Sequence, residues 1–203
     1  MERDEKTFWN RKYREGSHSS LEPDPFLVSA YSEFLADGVP GYALDVAGGV
    51  GRHALWLAER GWKVKLVDVS EVGIELARRN VVGRLNIPSV AREPYHQVEA
   101  EVLDLTSVHD LGNEQYDLIL VFFYLQRSLF PAFVSALKPG GFLIYKTYTI
   151  EQQRFQGGPS HPMHLLKPNE LLRAFEPLRV LYYHETIHEK GVAELVARKS
   201  PVF

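Results

Sequence analysis

The stretch "ALDVAGGVGRHALWLAERG", Ala43 to Gly61, places an alanine and three glycines, within positions 47–51, between an apolar run and a helix-like run. Glycine inside a regular element costs roughly 0.5–1 kcal/mol relative to alanine. Three glycines in so short a stretch therefore predict a backbone that turns tightly and lets another molecule come close. Residues 42–47 form a short apolar strand in this interpretation, and Arg52 to Arg60 form a helix that Gly61 ends.

Strands and helices continue to alternate after this unit, a pattern typical of a parallel sheet covered by helices. We predict further strands at 63–69, 97–105, 116–123 and 142–149, and further helices at 71–80, 129–137 and 168–175. The last two strands, at 179–185 and 193–199, have no helix between them, so they must form an antiparallel hairpin. The prediction is an α/β, Rossmann-like fold with an open, mostly parallel seven-stranded sheet, helices on both faces and a C-terminal antiparallel hairpin.

The length of 203 residues predicts a single domain. We expect residues 1–40 to form an N-terminal helical cap segment over the ligand site and residues 41–203 to form the Rossmann-like core. The loop from Ile150 to Lys167 exceeds the ~12–15 residues of an ordinary connection, so substrate contacts are sought there first. His161 and His164 in this loop are candidates for substrate contact or a general base, although polar loop residues need no role.

Composition and charge narrow the class of protein. The 23 basic and 26 acidic residues give a net charge of −3, so neither nucleic acid nor a membrane is expected as a partner. Cysteine is absent, which excludes disulfides and cysteine ligands. The charged first 16 residues lack the apolar segment of a signal peptide. The longest apolar run, Leu118 to Leu125, is far short of the ~18 residues of a membrane span. We expect a cytoplasmic protein acting on a small molecule, with its oligomeric state open.

The turn also fits a nucleotide-binding pattern. Residues 49–54 match G-x-G-x-x-A, and Asp68 ends the next strand about 20 residues on, where a ribose hydroxyl requires an acid. A nucleoside-type cofactor is therefore predicted, against the alternative of a β-to-α turn without a ligand. A nicotinamide-dependent oxidoreductase would share the turn and Asp68, but it would not account for Asp45 or the C-terminal hairpin.

Several motifs in order resemble the class I S-adenosylmethionine (SAM)-dependent methyltransferases. Their Asp-x-Gly-x-Gly-x-Gly motif matches Asp45 to Gly51, with Ala47 replacing the first glycine. Later motifs of the family resemble four further segments: "LVDVS" (66–70), "VLDL" (102–105), "YDLILVFF" (116–123) and "LKPGGFLIY" (137–145). The chain also resembles, more narrowly, the tellurite-resistance and thiopurine methyltransferase group. The segments that carry this resemblance are "FWNRKYREG", "EPDPFL", "GRHALWLAERG" and "LLKPNELLRAF". That group methylates small, soft nucleophiles such as thiols and chalcogen oxyanions.

The resemblance implies SAM as the cofactor and a set of residues that bind it: Arg14, Asp45, Ala47, Gly48, Gly49, Gly51, Asp68, Val69, Asp104, Leu105 and Phe122. It implies that Asp45 meets the cofactor's ammonium and that Asp68 accepts from both ribose hydroxyls.

The resemblance also implies contacts for the remaining positions. Val69 packs on the adenine face, Asp104 accepts from the adenine amino group, and the Leu105 backbone N–H donates to a ring nitrogen. Phe122 lies near the sulfonium. Arg14 is a candidate for the methionine carboxylate, with a solvated helix-end charge as the equal alternative.

The implied reaction is transfer of a methyl group to a small-molecule acceptor, with a soft sulfur, selenium or tellurium nucleophile as the candidate. A thiolate needs no general base, and the sequence shows no obvious one, so no catalytic residue is assigned. A non-catalytic SAM-binding protein would share every cofactor residue. Members of this family that methylate DNA adenine or a glutamine amide often carry the motif Asn/Asp-Pro-Pro-aromatic after the fourth strand. This chain has "FFYLQR" at that place, which argues against both substrates.

The segment "HETIH", His184 to His188, matches the H-E-x-x-H zinc motif. That chemistry needs both histidines on one face of a helix. This segment follows the strand-forming "RVLYY", where the two side chains would stand ~13 Å apart. We therefore expect no metal site.

Overall fold

The computed structural model describes residues 4–84 and 97–201. The chain divides into two compact units, Met1–Leu105 and Thr106–Phe203. The prediction of a single domain with a cap at 1–40 stays a prediction.

In its described residues, the first unit contains two N-terminal helices followed by two strand–helix pairs and a third strand. Its elements are α1 Glu5–Arg14, α2 Pro25–Phe34, β1 Tyr42–Val46, α3 Arg52–Ala58, β2 Lys63–Asp68, α4 Glu71–Arg84 and β3 Val98–Val102. β2 pairs in parallel with both β1 and β3. Both N-terminal helices begin at an aspartate whose carboxylate accepts a backbone N–H: Asp4 from Thr7 at 3.2 Å and Asp24 from Phe26 at 2.9 Å.

The core of this unit lies around β1 and α3. Residues 43–46 of β1 and 53–58 of α3 are buried. A helix that is apolar on nearly every side must be covered by other elements. The turn between β1 and α3 is therefore set between two rigid, buried elements.

The second unit contains the remaining strands. Its elements are β4 Tyr116–Phe122, α5 Phe130–Ala136, β5 Leu137–Tyr148, α6 Glu170–Ala174, β6 Arg179–Thr186 and β7 Val192–Arg198, with single 3₁₀ turns at Arg127–Leu129, Ile150–Arg154 and Pro162–His164. β4 and β5 are parallel, whereas β7 is antiparallel to both β5 and β6.

All seven strands belong to one sheet with the order β3-β2-β1-β4-β5-β7-β6. The predicted mostly parallel, seven-stranded sheet with a C-terminal antiparallel hairpin is confirmed. Several boundaries differ from the sequence prediction, most clearly those of α4, β5 and β3. α4 runs to Arg84 rather than ending at residue 80. β5 begins at Leu137 and runs through the "KPGG" segment predicted as a turn, and β3 ends at Val102 rather than at residue 105. None of the helices within 4–84 and 97–201 has the length and apolar character needed to cross a membrane.

Candidate functional site

The turn after β1 has an unusual backbone. Ala47 (φ 53°), Gly49 (φ 56°) and Gly51 (φ 83°) all adopt positive φ. The Gly48 N–H donates to the carbonyl of Val67 at 3.1 Å, and the Gly51 N–H donates to the carbonyl of Gly48 at 3.0 Å. Alanine tolerates the left-handed region less well than glycine. Ala47 therefore adopts a backbone conformation that glycine would adopt more easily.

Each glycine of the turn is required by a different neighbour. A Cβ at Gly48 would lie 2.7 Å from Asp45 Oδ2, and a Cβ at Gly49 would collide with the Tyr13 hydroxyl. A Cβ at Gly51 would lie 3.2 Å from Leu66 Cδ1 and would point into the interior. Gly51 therefore serves backbone conformation and core packing, whereas Gly48 and Gly49 allow polar groups to come close.

Asp45 is buried behind the turn and lacks part of its hydrogen bonding. Its Oδ2 accepts the Ala54 N–H at 3.2 Å, while its Oδ1 has no hydrogen-bond partner among residues 4–84 and 97–201. The His53 Nδ1 stands 4.0 Å from that Oδ1. Burial raises the pKa of Asp45 to about 7, against the opposing effects of the Ala54 N–H and the Arg52 charge. The site therefore holds a buried acidic group with one carboxyl oxygen that accepts no hydrogen bond from the described residues.

Asp68, the last residue of β2, stabilises the turn from the other side. Its Oδ2 accepts the Gly49 N–H at 2.9 Å and its Oδ1 accepts the Ser70 N–H at 2.8 Å. Burial raises the pKa of Asp68 to about 6, and the two N–H donors oppose that shift. Each carboxylate oxygen still has a lone pair for a second donor such as a ligand hydroxyl.

Helix α1 packs against this turn through one face. Asn10 Oδ1 accepts the Ser70 hydroxyl at 2.7 Å and the Val72 N–H at 3.2 Å, and Lys6 pairs with Glu71 at 2.5 Å. These contacts join α1 to the first turn of α4. They were not predicted from the sequence.

Tyr13 completes this face and covers the glycines. A Cβ at Gly73 would lie 2.9 Å from Tyr13 Cε2, and the Trp9 ring stacks on Tyr13 with centroids 5.8 Å apart. Burial raises the pKa of Tyr13, with a smaller contribution from the Asp68 charge, so the hydroxyl stays neutral and can donate. Lys6, Asn10 and Tyr13 stand at helical spacing, and that pattern was the available sequence signal.

The remaining predicted contacts occupy varied environments. Arg14 is exposed at the last position of α1, and Val69 is partly exposed after β2. Asp104 is exposed two residues beyond the end of β3, and the next residue, Leu105, is buried. Phe122 is buried at the end of β4 in the second unit. The structure thus brings Asp45, Gly48, Gly49 and Asp68 together, and the cofactor roles of all the implied residues stay predictions.

The 150–167 segment is structured rather than open. Arg127 donates to the carbonyls of Met163 at 2.9 Å and Leu165 at 2.8 Å, and it pairs with Glu170. His161 and His164 are exposed, with ring centroids 6.2 Å apart. A role for either histidine in substrate contact or as a general base stays a prediction.

His184 of the zinc-like motif lies on strand β6, opposite Glu194 of β7, and not on a helix. His188 follows in the turn between β6 and β7. The two side chains therefore lack the helical arrangement that the zinc motif needs.

The residues around the turn fit SAM. The unpartnered, buried Oδ1 of Asp45 suits a positively charged group, because an opposite charge would stabilise the ionised carboxylate. Asp68 suits a pair of hydroxyls, and the absence of a side chain at Gly49 leaves room for the Tyr13 hydroxyl beside the turn.

Comparisons with known proteins agree with this fit. A family model described as a methyltransferase domain matches residues 24–181. The thiopurine S-methyltransferase of Legionella pneumophila strain Paris is 26% identical over 181 residues, which cover 83% of this chain and 80% of that protein. The ribosomal RNA small subunit methyltransferase C of Alcanivorax borkumensis is 30% identical over 132 residues, covering 63% of this chain. The chain spans only 38% of that relative's length.

Solved structures show the same fold. TehB from Haemophilus influenzae superposes with a TM-score of 0.70 at 18% identity, covering 94% of this chain and 67% of that one. The magnesium protoporphyrin IX methyltransferase of Synechocystis PCC 6803, solved with bound SAH, superposes with a TM-score of 0.69 at 16% identity, covering 96% and 98%. The chain belongs to the methyltransferase domain family, and it is a class I SAM-dependent methyltransferase that resembles the tellurite-resistance and thiopurine group.

Proposed function

We propose that this chain transfers a methyl group from SAM to a small-molecule acceptor whose nucleophile is a soft sulfur, selenium or tellurium atom. The choice of SAM as the cofactor rests on the buried Asp45 Oδ1, which lies under a glycine turn and accepts no hydrogen bond within the part of the chain that the structure describes. The similarity to thiopurine S-methyltransferases supports a sulfur acceptor.

The residues of the turn have separate tasks in this proposal. Asp45 supplies negative charge for the cofactor's ammonium, directly or through water, and Asp68 accepts hydrogen bonds from the ribose hydroxyls. Tyr13 covers Gly49 and excludes water from that side of the turn. When bound, SAM supplies a methyl group already activated by the positive charge on its sulfur. The protein's main contribution is then to position the acceptor and to keep the site dry.

A soft nucleophile such as a thiolate can attack the methyl group without a general base. A thiol that ionises near neutral pH arrives as a thiolate, which already has the lone pair needed for attack. An amine or alcohol acceptor would need a group that removes its proton during the reaction.

A methyl-release assay over matched acceptors tests the proposal. The protein is incubated with methyl-labelled SAM and, separately, with thiophenol, tellurite, phenol and aniline. We expect transfer to thiophenol or tellurite and little to phenol or aniline. Tight binding of S-adenosylhomocysteine (SAH) without transfer to any acceptor would instead indicate a non-catalytic SAM-binding protein. Faster transfer to aniline than to thiophenol would contradict the soft-nucleophile proposal.

A further inference from the structure

His53 is a buried histidine of the first unit that lies beside the glycine turn. It is the second residue of α3, and only 3% of it is exposed. A buried imidazole has two polar nitrogens, and buried polar groups are almost always hydrogen-bonded. The surroundings of the two nitrogens therefore indicate what this side chain does.

One nitrogen of the His53 ring connects it to α2. Its Nε2 accepts the backbone N–H of Asp24 at 3.3 Å. Asp24 is the N-cap of α2, and its carboxylate in turn accepts the Phe26 N–H. Because a nitrogen that accepts an N–H carries no proton, the neutral ring has its proton on Nδ1. The contact with α2 thus decides which nitrogen of His53 can donate.

The other nitrogen faces the carboxyl group of Asp45. The His53 Nδ1 lies 4.0 Å from Asp45 Oδ1, the oxygen that accepts no hydrogen bond from the described residues. An N–H···O hydrogen bond spans about 2.7–3.2 Å, so a movement of about 1 Å would form one here. Such a bond is stronger when the carboxyl group is ionised. The structure therefore places a donor beside Asp45 that favours its charged form.

The charge of Asp45 is balanced near neutral pH. Burial raises its pKa to about 7, and the Asp68 charge acts in the same direction. The Ala54 N–H and the Arg52 charge oppose the rise. Tyr13 on α1 stays neutral, since its own pKa is raised by burial. One further hydrogen bond to the ionised carboxylate would therefore change the charged fraction of Asp45 at neutral pH.

We propose that His53 is a positioning residue for the cofactor: its Nδ1–H closes on Asp45 Oδ1 when that carboxyl group ionises. The ring then holds the carboxylate in the orientation and the charged state that attract the cofactor's ammonium. It also ties the start of α2 to that carboxylate, because its two nitrogens act together. The inference rests on the proposed role of Asp45 toward the ammonium and adds the residue that maintains it.

Substitutions that retain one nitrogen's function at a time test the inference. His53→Asn places an amide N–H near the position of Nδ1, whereas His53→Gln places an amide oxygen near the position of Nε2. His53→Phe keeps a ring and has neither group. The SAH dissociation constant of each variant is measured by calorimetry from pH 6 to pH 9 and divided by the wild-type value at the same pH. The ratio removes the titration of SAH itself.

We expect His53→Phe to bind SAH about tenfold more weakly than the wild type at pH 6, the effect of losing one hydrogen bond to a charged group. The difference should shrink to within about twofold at pH 9, where Asp45 is ionised in both proteins. His53→Gln should behave like His53→Phe, and His53→Asn should restore most of the wild-type profile.

The pH dependence separates the possible outcomes. A loss of affinity that is equal at every pH would indicate that His53 only fills space, and it would overturn the inference while leaving the role of Asp45 intact. A wild type whose SAH affinity is the same at pH 6 and pH 8 would reject the role of Asp45 and the inference together.

The tautomer of His53 provides a test on the wild type that does not require the variants to fold. NMR spectra of protein with ¹⁵N-labelled histidine show which ring nitrogen carries the proton, and the His53 signals are assigned through their proximity to the Asp24 amide. We expect a neutral ring with its proton on Nδ1 at pH 8 when SAH is bound. A proton on Nε2 would overturn the inference.

Discussion

The carboxyl group of Asp45 should destabilise the folded protein at neutral and higher pH in the absence of cofactor. Its folded-state pKa is raised from 3.8 to about 7 by burial. The folded state therefore binds a proton more tightly than the unfolded state. The stability that this proton contributes is complete below pH ~4 and is lost as the pH rises towards 7.

The magnitude follows from the size of the pKa shift. A rise in pKa from 3.8 to about 7, at 1.36 kcal/mol for each pH unit, changes the free energy of unfolding by about 4 kcal/mol between low and high pH. About 2–3 kcal/mol of this change falls between pH 5 and pH 8. Asp45→Asn keeps the shape of the side chain and removes the ionisation. The amide's own effect on stability is nearly the same at both pH values, so it cancels when the two are compared.

Urea unfolding of the cofactor-free protein at pH 5 and pH 8 measures this difference. We expect the loss of unfolding free energy between the two pH values to be smaller in Asp45→Asn than in the wild type by about 2–3 kcal/mol. Asp37→Asn, a change at an exposed position, should leave the loss unchanged. If the wild type and Asp45→Asn lost equal stability, the carboxyl would not be buried in the way the structure shows.

Three further measurements test the cofactor site and the packing of its glycine turn. SAH affinity should increase about tenfold from pH 6 to pH 8, since a cation beside Asp45 favours its ionised form; calorimetry showing a pH-independent affinity would contradict this. Asp68→Ala should weaken SAH binding by at least ~3 kcal/mol, whereas Glu71→Ala should mainly loosen the contact with α1. If the two variants showed equal, small increases in the SAH dissociation constant, Asp68 would lie outside the site. Gly51→Val should lower the free energy of unfolding by more than ~2 kcal/mol, because its side chain would point at Leu66 from a strained backbone. Unchanged urea unfolding of that variant would refute this packing.

Helix α1 contains the most informative difference between the sequence and the structure. The sequence drew attention to Arg14, whose charge would suit a carboxylate, but Arg14 is exposed and its neighbour Tyr13 is the residue that covers Gly49. A charged residue stands out in a sequence, whereas a buried tyrosine resembles any core aromatic. Its role depends on a contact with a turn that lies more than 30 residues further along the chain.

The sequence by itself determined the elements whose signals are local. Short stretches of sequence were enough to recognise the glycines of the 47–51 turn, the acids Asp45 and Asp68, and the lack of a helix before the final strand. Each of these features reflects local backbone geometry or the end of a strand. These features were enough to predict the mostly parallel sheet and the methyltransferase family.

Only the tertiary structure decided what each of these groups does. It showed that Gly51 faces the core at Leu66 and that Phe123 has a positive φ. It also showed that one oxygen of Asp45 accepts no hydrogen bond from the residues that the structure describes. Burial, hydrogen bonding and pKa depend on atoms brought close by folding from distant parts of the chain. The spacing of residues along the sequence carries no record of those distances.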